Sequence, residues 1–425
     1  VNILILGSGG RENAFSWKIA QSPKCSNLFI APGNAGSDKF GTRLELNINN
    51  FEAVAQALIT HQISLLIIGP EEPLVKGLVN FLKAQKQFET LAIIGPEQTG
   101  AMLEGSKAFA KEFMQKFNIP TAAYREFNKA SLEEALTYID SYSGPYVLKA
   151  DGLAAGKGVV ILEDANAAKS EIKEMLNGKF GEASAKVVVE QFLKGIEFSV
   201  FGLFDGENYV VLPEAKDYKR IGLADTGLNT GGMGAISPVP FCSKELMQKV
   251  EEQIIKPTFK GIKELGIDYH GFVFFGLILV EDQPFVIEYN CRMGDPETEA
   301  VIPRIKNDLV ELLMAAAKGE LKNQTLDITS QHAATVMLVS GGYPEAFEKG
   351  KVITNLEKIN DKALVFHAGT TSDADGQIRT NGGRVIALTS LDTTLENALQ
   401  NALKSAEVID YQGKYFRTDI GYEFV

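Results

Sequence analysis

The stretch VIEYNCRMGDPETE, residues 286–299, organises the reading of this chain. It begins as an apolar β-strand. Side chains of a strand alternate between faces, so Val286, Glu288 and Asn290 are expected on one side and Ile287 and Tyr289 on the other. A carboxylate and an amide oxygen then leave the strand together. Mg²⁺ accepts such a sparse oxygen set when a phosphorylated ligand supplies the remaining ligands. Arg292 follows directly, and Asp295, Pro296 and Glu297 occupy the next turn, near the strand's C-terminal end, where open α/β sheets bind ligands. An edge strand with solvated acids has the same pattern, so neighbouring segments must decide.

The 425 residues, 45% of them hydrophobic, suffice for about three domains with ordinary cores. A net charge of −12 argues against general affinity for nucleic acid or anionic membrane, while leaving room for a local basic cleft. Cys25, Cys242 and Cys291 are scattered without a CxxC pair, so neither a disulfide framework nor a thiolate zinc site is indicated. His61, His270, His332 and His367 have no metal-type spacing. The sequence starts on the apolar run VNILILG and holds no long apolar segment. A soluble cytoplasmic protein without leader or membrane anchor is the expectation.

Strands and helices alternate from residue 2 to 100: NILIL, a helix through Trp17, NLFIA, a helix from Phe51, SLLIIG, a helix through Val79, then LAIIG. This predicts a parallel α/β domain over 1–120. Its strands end in the turns GSGGRE, APGNAG and GPEEP, whose backbone donors would share one sheet edge. Residues 121–193 read strand, helix, strand, glycine-rich loop, strand, helix, strand, a small α+β lobe. A larger lobe over 194–325 has the strands EFSVFGLF, YVVL, GFVFFGLILV and FVIEYN and a long helix over 243–265. The remainder, 326–425, has ATVMLVS, RVIALTS and a closing helix near 394–406. The expected class is a multidomain α/β and α+β protein.

Two segments are candidates for phosphate chemistry, with a tight strand-to-helix turn and a structural hairpin as their respective alternatives. GSGGREN resembles a dinucleotide fingerprint, but Glu12 stands where the third glycine belongs and the second strand ends in Ala31-Pro32-Gly33 without a ribose-binding acid. Gly9 and Gly10 then either admit a single phosphate or form a tight turn. KADGLAAGKGV, residues 149–159, is more distinctive: glycines and Lys157 between two apolar strands make a loop able to fold over phosphates. Three residues separate Gly152 from Gly156, and Gly158 follows Lys157, so it is not a Walker A loop. Lys149 ends an apolar strand and needs an anionic partner, for which a nucleotide phosphate is the candidate. Lys107 reads either as a phosphate ligand or as a solvated first-turn residue. Glu190, Phe192 and Glu197 lie where a hinge between lobes could meet adenine and ribose. The segment 214–238 is rich in Gly, Asn, Asp and Thr and predicts a long shaped loop rather than a packed element, with Asp217, Lys219 and Arg220 able to hold a zwitterion or phosphate.

The ordered motifs GSGGRE, APGNAG, GPEEPLVKG, LEGSKAFAK, KADGLAAGKGV, DTGLNTGGMGAISP, EYNCRMGDPETE, SGGYP, HAGT and TNGGR resemble the ATP-grasp superfamily, and within it the phosphoribosylamine-glycine ligases, over essentially the whole chain. The resemblance implies an N-terminal substrate domain, two lobes gripping ATP and a C-terminal domain completing the cleft. It implies that Lys107, Lys149 and the Gly152, Gly156, Lys157, Gly158 loop surround the ATP phosphates, with Glu190, Phe192 and Glu197 at the adenosine. Glu288 and Asn290 would bind Mg²⁺ or Mn²⁺. Gly9, Gly10, Asn34, Gly69, Pro70 and Glu71 would cradle phosphoribosylamine, with Arg292 and Asp295 at the acceptor. Asp217, Asn229, Gly231 and Gly232 would serve the glycine side.

The implied reaction activates glycine as glycyl phosphate, which the sugar amine attacks. Lys149, Arg292 and Glu288 would carry it by alignment and charge stabilisation, and the glycine-rich loop would exclude water. The implied partners are small molecules, with no nucleic acid and no membrane, in a monomer or weak dimer. Three departures stand out: Asn13 and Tyr218 occupy places where the family has His, and Leu279 a place for a further acidic metal ligand. The rival readings are another ATP-grasp ligase or carboxylase, a non-catalytic nucleotide-binding regulator, and a dinucleotide oxidoreductase.

Overall fold

The apolar runs NILILG and NLFIAP form parallel strands β1 (Asn2–Gly7) and β2 (Asn27–Pro32), joined by β3 (Thr42–Arg43), β4 (Leu65–Ile68) and β5 (Ala92–Ile94). The computed structural model describes residues 1–152 and 158–425. The first sheet runs β3-β2-β1-β4-β5, so its order reverses between β1 and β4. A crevice opens at such a reversal, beyond the C-terminal strand ends, and here Gly7 and Gly69 flank it. The glycine turns lie at this edge because apolar strands fully buried on both faces leave only their ends for polar ligands.

The small lobe is an antiparallel sheet of β6 (Tyr124–Asn128), β7 (Tyr146–Ala150), β8 (Val159–Leu162) and β9 (Lys186–Gln191), ordered β6-β9-β7-β8. Helices Leu132–Asp140 and Ala165–Leu176 bury Ile139, Ile172 and Met175 against its Leu148, Val187 and Val189. Lys149 pairs with Val159, so β7 and β8 bracket the glycine-rich loop. Gly156 and Lys157 lie outside the described residues.

The large lobe continues with β10 (Ile196–Asp205), β11 (Tyr209–Asp217), the ribbon β12 (Arg220–Gly222) and β13 (Thr226–Asn229), and β14 (Gly234–Ser237). Then come β15 (His270–Val280), β16 (Gln283–Asn290), β17 (His332–Val339), β18 (Leu364–His367), the hairpin β19 (Thr370–Ser372) and β20 (Ile378–Thr380), and β21 (Arg384–Asp392). One sheet collects most of them in the order β16-β15-β10-β11-β14-β17-β21-β18. The helix expected over 243–265 starts at the Ser243 cap and holds a π-turn at Glu251–Ile255 between two α-segments. Among the described residues, no helix is long and apolar enough to cross a membrane.

Two local readings are corrected. The segment 214–238 is not a loop throughout: β14 is fully buried and pairs with both β11 and β17, joining the two halves of the large sheet. Its sequence, GAIS, is too short and small to show a strand period; pairing on both edges supplies what propensity lacks. The second concerns β16. Gly276 faces Glu288 but Leu277 faces Val286, so Ile287 is a bulge residue and the alternation breaks there. Val286 and Tyr289 both enter the core, whereas Ile287 joins Glu288 on the cleft wall.

Ile236→Ala should therefore destabilise the protein by about 2–4 kcal/mol, as for a buried core strand. Chemical unfolding checks this; a change under about 0.5 kcal/mol, as at an exposed loop position, would refute the packed strand.

Candidate active site

At the first sheet's edge, Gly9 caps the helix Gly10–Ile19, and Glu12 reaches back to accept from the Gly9 N–H at 2.7 Å while pairing with Arg11 Nε at 2.6 Å. The Arg11 N–H donates to Asp295 Oδ2 at 3.1 Å, and Asp295 pairs with Arg384 Nη2 at 2.9 Å. A Cβ on Gly10 would collide with Glu299 Oε1, and one on Gly69 with Glu12 Oε1. These glycines thus admit buried carboxylates against the backbone, and the Gly9 donor is already committed. Pro70 starts the helix Glu71–Val75 beside Gly69. Glu299 is fully buried, with neither oxygen partnered among the described residues; burial, with Asp295 nearby, raises its pKa well above the usual carboxylate range. Asn34 donates to the carbonyls of Ser8 (2.9 Å) and His367 (2.7 Å) and accepts from Gly36 N, tying the crevice to β18. Asn13 accepts from His367 N at 2.9 Å, and its buried Nδ2 has no partner among the described residues. His367 is held down to about 4 by burial and by Lys39.

Glu288 and Asn290 emerge together at the end of β16. Among the described residues Glu288 has no ion-pair partner. With its side-chain amide assigned from the hydrogen-bond network, the Asn290 nitrogen donates to Glu104 Oε1 at 3.0 Å and to the Tyr289 carbonyl at 3.1 Å, which turns its oxygen away from them. A carboxylate with no cation paired to it among the described residues, beside an amide oxygen, fits a hard divalent cation that takes its other ligands from phosphate and water. No described group of three or more His, Cys, Asp or Glu could hold a metal by itself. Leu279 is not beside this pair: it faces Pro284, roughly 10 Å along the strand, and the neighbour of Glu288 is Gly276.

Arg292 is fixed by two acids, Glu104 Oε1 at 2.7 Å and Glu71 Oε2 at 3.4 Å. Glu104 escaped the sequence reading although it sits in LEGSK. It also accepts from Cys291 N at 2.9 Å. Burial pushes its pKa up, and Arg292 opposes this.

Lys149 has a partner, but it is a carboxylate. Its Nζ lies 3.0 Å from Glu190 Oε1 and 3.2 Å from the Ile287 carbonyl. Lys111, also missed, meets the other Glu190 oxygen at 3.1 Å; burial brings it down to about 8 against the pull of that acid. The signal was its place one helical turn after Lys107. Lys107 Nζ lies 3.5 Å from the Gly152 carbonyl, its pKa lowered by burial and supported by Glu288. Gly158 accepts from Ala150 N at 2.8 Å and closes the base of the loop. Phe192 is 40% exposed at the lobe junction.

Across the cleft, Glu197, Ser199, Asp217 and Lys219 share a wall with Glu288. Lys219 pairs with Glu197 at 3.0 Å, and both remain partly exposed. Ser199 donates to Glu297 Oε1 at 3.3 Å. Burial, reinforced by Asp217, pushes Glu297 up to about 7. Gly231 is held by Tyr343 Oη (2.9 Å) and Arg384 (2.7 Å), and Gly232 sits against Pro296; Asn229 is exposed on the ribbon. Tyr218 faces away from the cleft and is buried among C-terminal residues.

Three family models match in sequence: the phosphoribosylglycinamide synthetase N domain over residues 1–104, its ATP-grasp (A) domain over 105–298 and its C domain over 333–423. A phosphoribosylamine–glycine ligase of Yersinia pestis is 44% identical, the alignment covering 100% of this chain and 99% of that protein. The crystal structure of a phosphoribosylamine–glycine ligase from Thermotoga maritima superposes with a TM-score of 0.86 at 34% identity, covering 99% of this chain and 100% of that one. The biotin carboxylase domain of a Hydrogenobacter thermophilus 2-oxoglutarate carboxylase, solved with MgADP, shares the fold at a TM-score of 0.73 and 16% identity, over 99% and 92% of the chains.

The Glu297 carboxyl makes a pH prediction. Its ordinary value is 4.5 and its folded value about 7, so between these the folded protein holds a proton that the unfolded chain releases. Stability from this group is fully present below about pH 4.5 and is lost as pH rises through about 7. Glu297→Gln should raise Tm relative to the parent at pH 8 and much less at pH 5. Equal effects at both pH values would contradict the raised value.

Proposed function

The chain belongs to the phosphoribosylglycinamide synthetase family, and on that membership we propose that its cleft ligates glycine to 5-phosphoribosylamine, giving glycinamide ribonucleotide, ADP and phosphate in purine biosynthesis. The observation that carries the reading is the convergence, beside Arg292, of the side-chain oxygens of Glu288 and Asn290 with Lys107, at the start of its helix, and Lys149 on the facing lobe.

A glycine carboxylate is a poor electrophile. One of its oxygens attacks the γ-phosphorus of ATP, ADP leaves, and glycyl phosphate remains; the amine nitrogen then attacks the acyl carbon, phosphate leaves and the amine gives up a proton. Glu288 and Asn290 would hold Mg²⁺ or Mn²⁺, which neutralises phosphate charge. Lys107, Lys149 and the Gly152, Gly156, Lys157, Gly158 loop take the phosphates, with Lys149 exchanging Glu190 for a phosphate oxygen. Glu190, Phe192 and Glu197 serve the adenosine. Gly9, Gly10, Asn34, Gly69, Pro70, Glu71 and Asp295 shape the sugar-phosphate side, and Arg292 stabilises the acyl-transfer charge. Asp217, with Glu297 beside it, supplies the negative charge that a glycine ammonium needs, and Asn229, Gly231 and Gly232 border it. We divide the chain at 1–120, 121–193, 194–325 and 326–425, and place it in the cytoplasm as a monomer or weak dimer.

ADP should form only when ATP, divalent metal, glycine and freshly generated phosphoribosylamine are present together. Equal ADP release without the amine, or with alanine replacing glycine, would defeat the assignment. Glu288→Ala should cut metal-dependent turnover by at least about a hundredfold with an unchanged circular dichroism spectrum; parental turnover would remove Glu288 from the site.

A further inference from the structure

Tyr218, one of the positions where the chain departs from the expected residue, does not face the cleft. Along the end of β11, Asp217 and Lys219 point to the wall shared with Glu197 and Glu288, while Lys216 and Tyr218 point to the opposite side. There they meet the last residues of the chain. Tyr218 Oη donates to Glu423 Oε2 at 2.8 Å, and Lys216 Nζ lies 3.3 Å from Glu423 Oε1 and 4.4 Å from the Tyr218 ring centroid. The Tyr218 backbone is fixed as well, its N–H to the Gly234 carbonyl and its carbonyl to Met233 N.

A second contact holds the same loop further along. Arg417, fully buried, pairs with Asp225 at 2.6 Å and Asp419 at 2.8 Å and donates to the Arg220 carbonyl at 3.2 Å. Asp419 in turn accepts from Ala224 N at 2.6 Å, and Tyr415 Oη donates to the Ile221 carbonyl at 2.8 Å. A loop rich in glycine loses much conformational freedom when ordered, and these contacts with the chain's end offset that cost.

We propose that the C-terminal segment 415–423 is a clasp that positions the amino-acid subsite, with Tyr218 and Glu423 as positioning residues: by holding one face of the β11 end, it fixes Asp217 and Lys219 on the other. The inference rests on the reading of Asp217 as part of the glycine side. It is specific, because among the described residues the clasp makes no hydrogen bond or ion pair with Lys107, Lys149 or Glu288.

Steady-state kinetics of Tyr218→Phe, Glu423→Ala, the double variant and Asp217→Asn test it. Tyr218→Phe keeps the ring beneath Lys216 and removes only the hydroxyl, so it remains informative should Glu423→Ala unfold. Each clasp variant should raise the KM for glycine about fivefold or more, as expected for loss of a hydrogen bond to a charged group. The KM for ATP should stay within about twofold, and the double variant should add little to the larger single effect. Glycine and ATP constants rising together with a lowered Tm, or an unchanged glycine KM in Tyr218→Phe, would overturn the clasp. Asp217→Asn separates the two failures: a raised glycine KM there with none in the clasp variants removes only the clasp, whereas an unchanged one removes Asp217 from the subsite and the inference with it.

Discussion

A carboxylate taken out of water must be matched by cations and N–H donors or it will take up a proton, and Glu104 is the place where the site depends on that rule. It ends the helix Gln98–Gly105 and accepts from Arg292, Cys291 N and the Asn290 amide, all of them leaving β16. The chain then breaks at Ser106, whose hydroxyl caps the next helix and donates to Asp151 at 2.9 Å. One short stretch therefore fixes the exit of the metal strand on one side and, through Lys107 and Asp151, the base of the glycine-rich loop on the other. The orientation of the Asn290 oxygen follows from the same contact.

Six acids packed around the site fall into two chemical groups. Glu12, Glu104, Glu190 and Asp295 each lie against a cation and serve to fix a basic side chain. Glu297 and Glu299 lie against other acids and carry raised pKa values. Such a pair is costly to keep ionised, and perturbed groups of this kind cluster where ligands supply the missing countercharge. Glu297 stands beside Asp217 on the glycine side, where an ammonium would do so.

How much of this was legible in the sequence follows from the range of the signals. The unbroken apolar runs of β1 and β15 and the periodic helices of the small lobe declared themselves because burial sets their pattern locally. The joint exit of Glu288 and Asn290, and Arg292 beyond it, was legible for the same reason. The bulge at Ile287 and the short strand β14 were not, since both are set by partners distant in the chain. Nor were the ion pairs of Arg292 with Glu104 or of Lys111 with Glu190, which no spacing rule connects. The glycines misled in a different way: absence of a side chain signals close approach by something, and at Gly10 and Gly69 the approaching group is a carboxylate of the protein itself.

The position of β14 between β11 and β17 bears on how this chain can be divided. Its backbone is hydrogen-bonded on both edges, so the last hundred or so residues complete a sheet begun far earlier rather than form a separable module. A fragment ending before β17 would present the apolar edge of β14 to solvent, an open template for pairing with another copy. Expression of the chain in halves would favour aggregation.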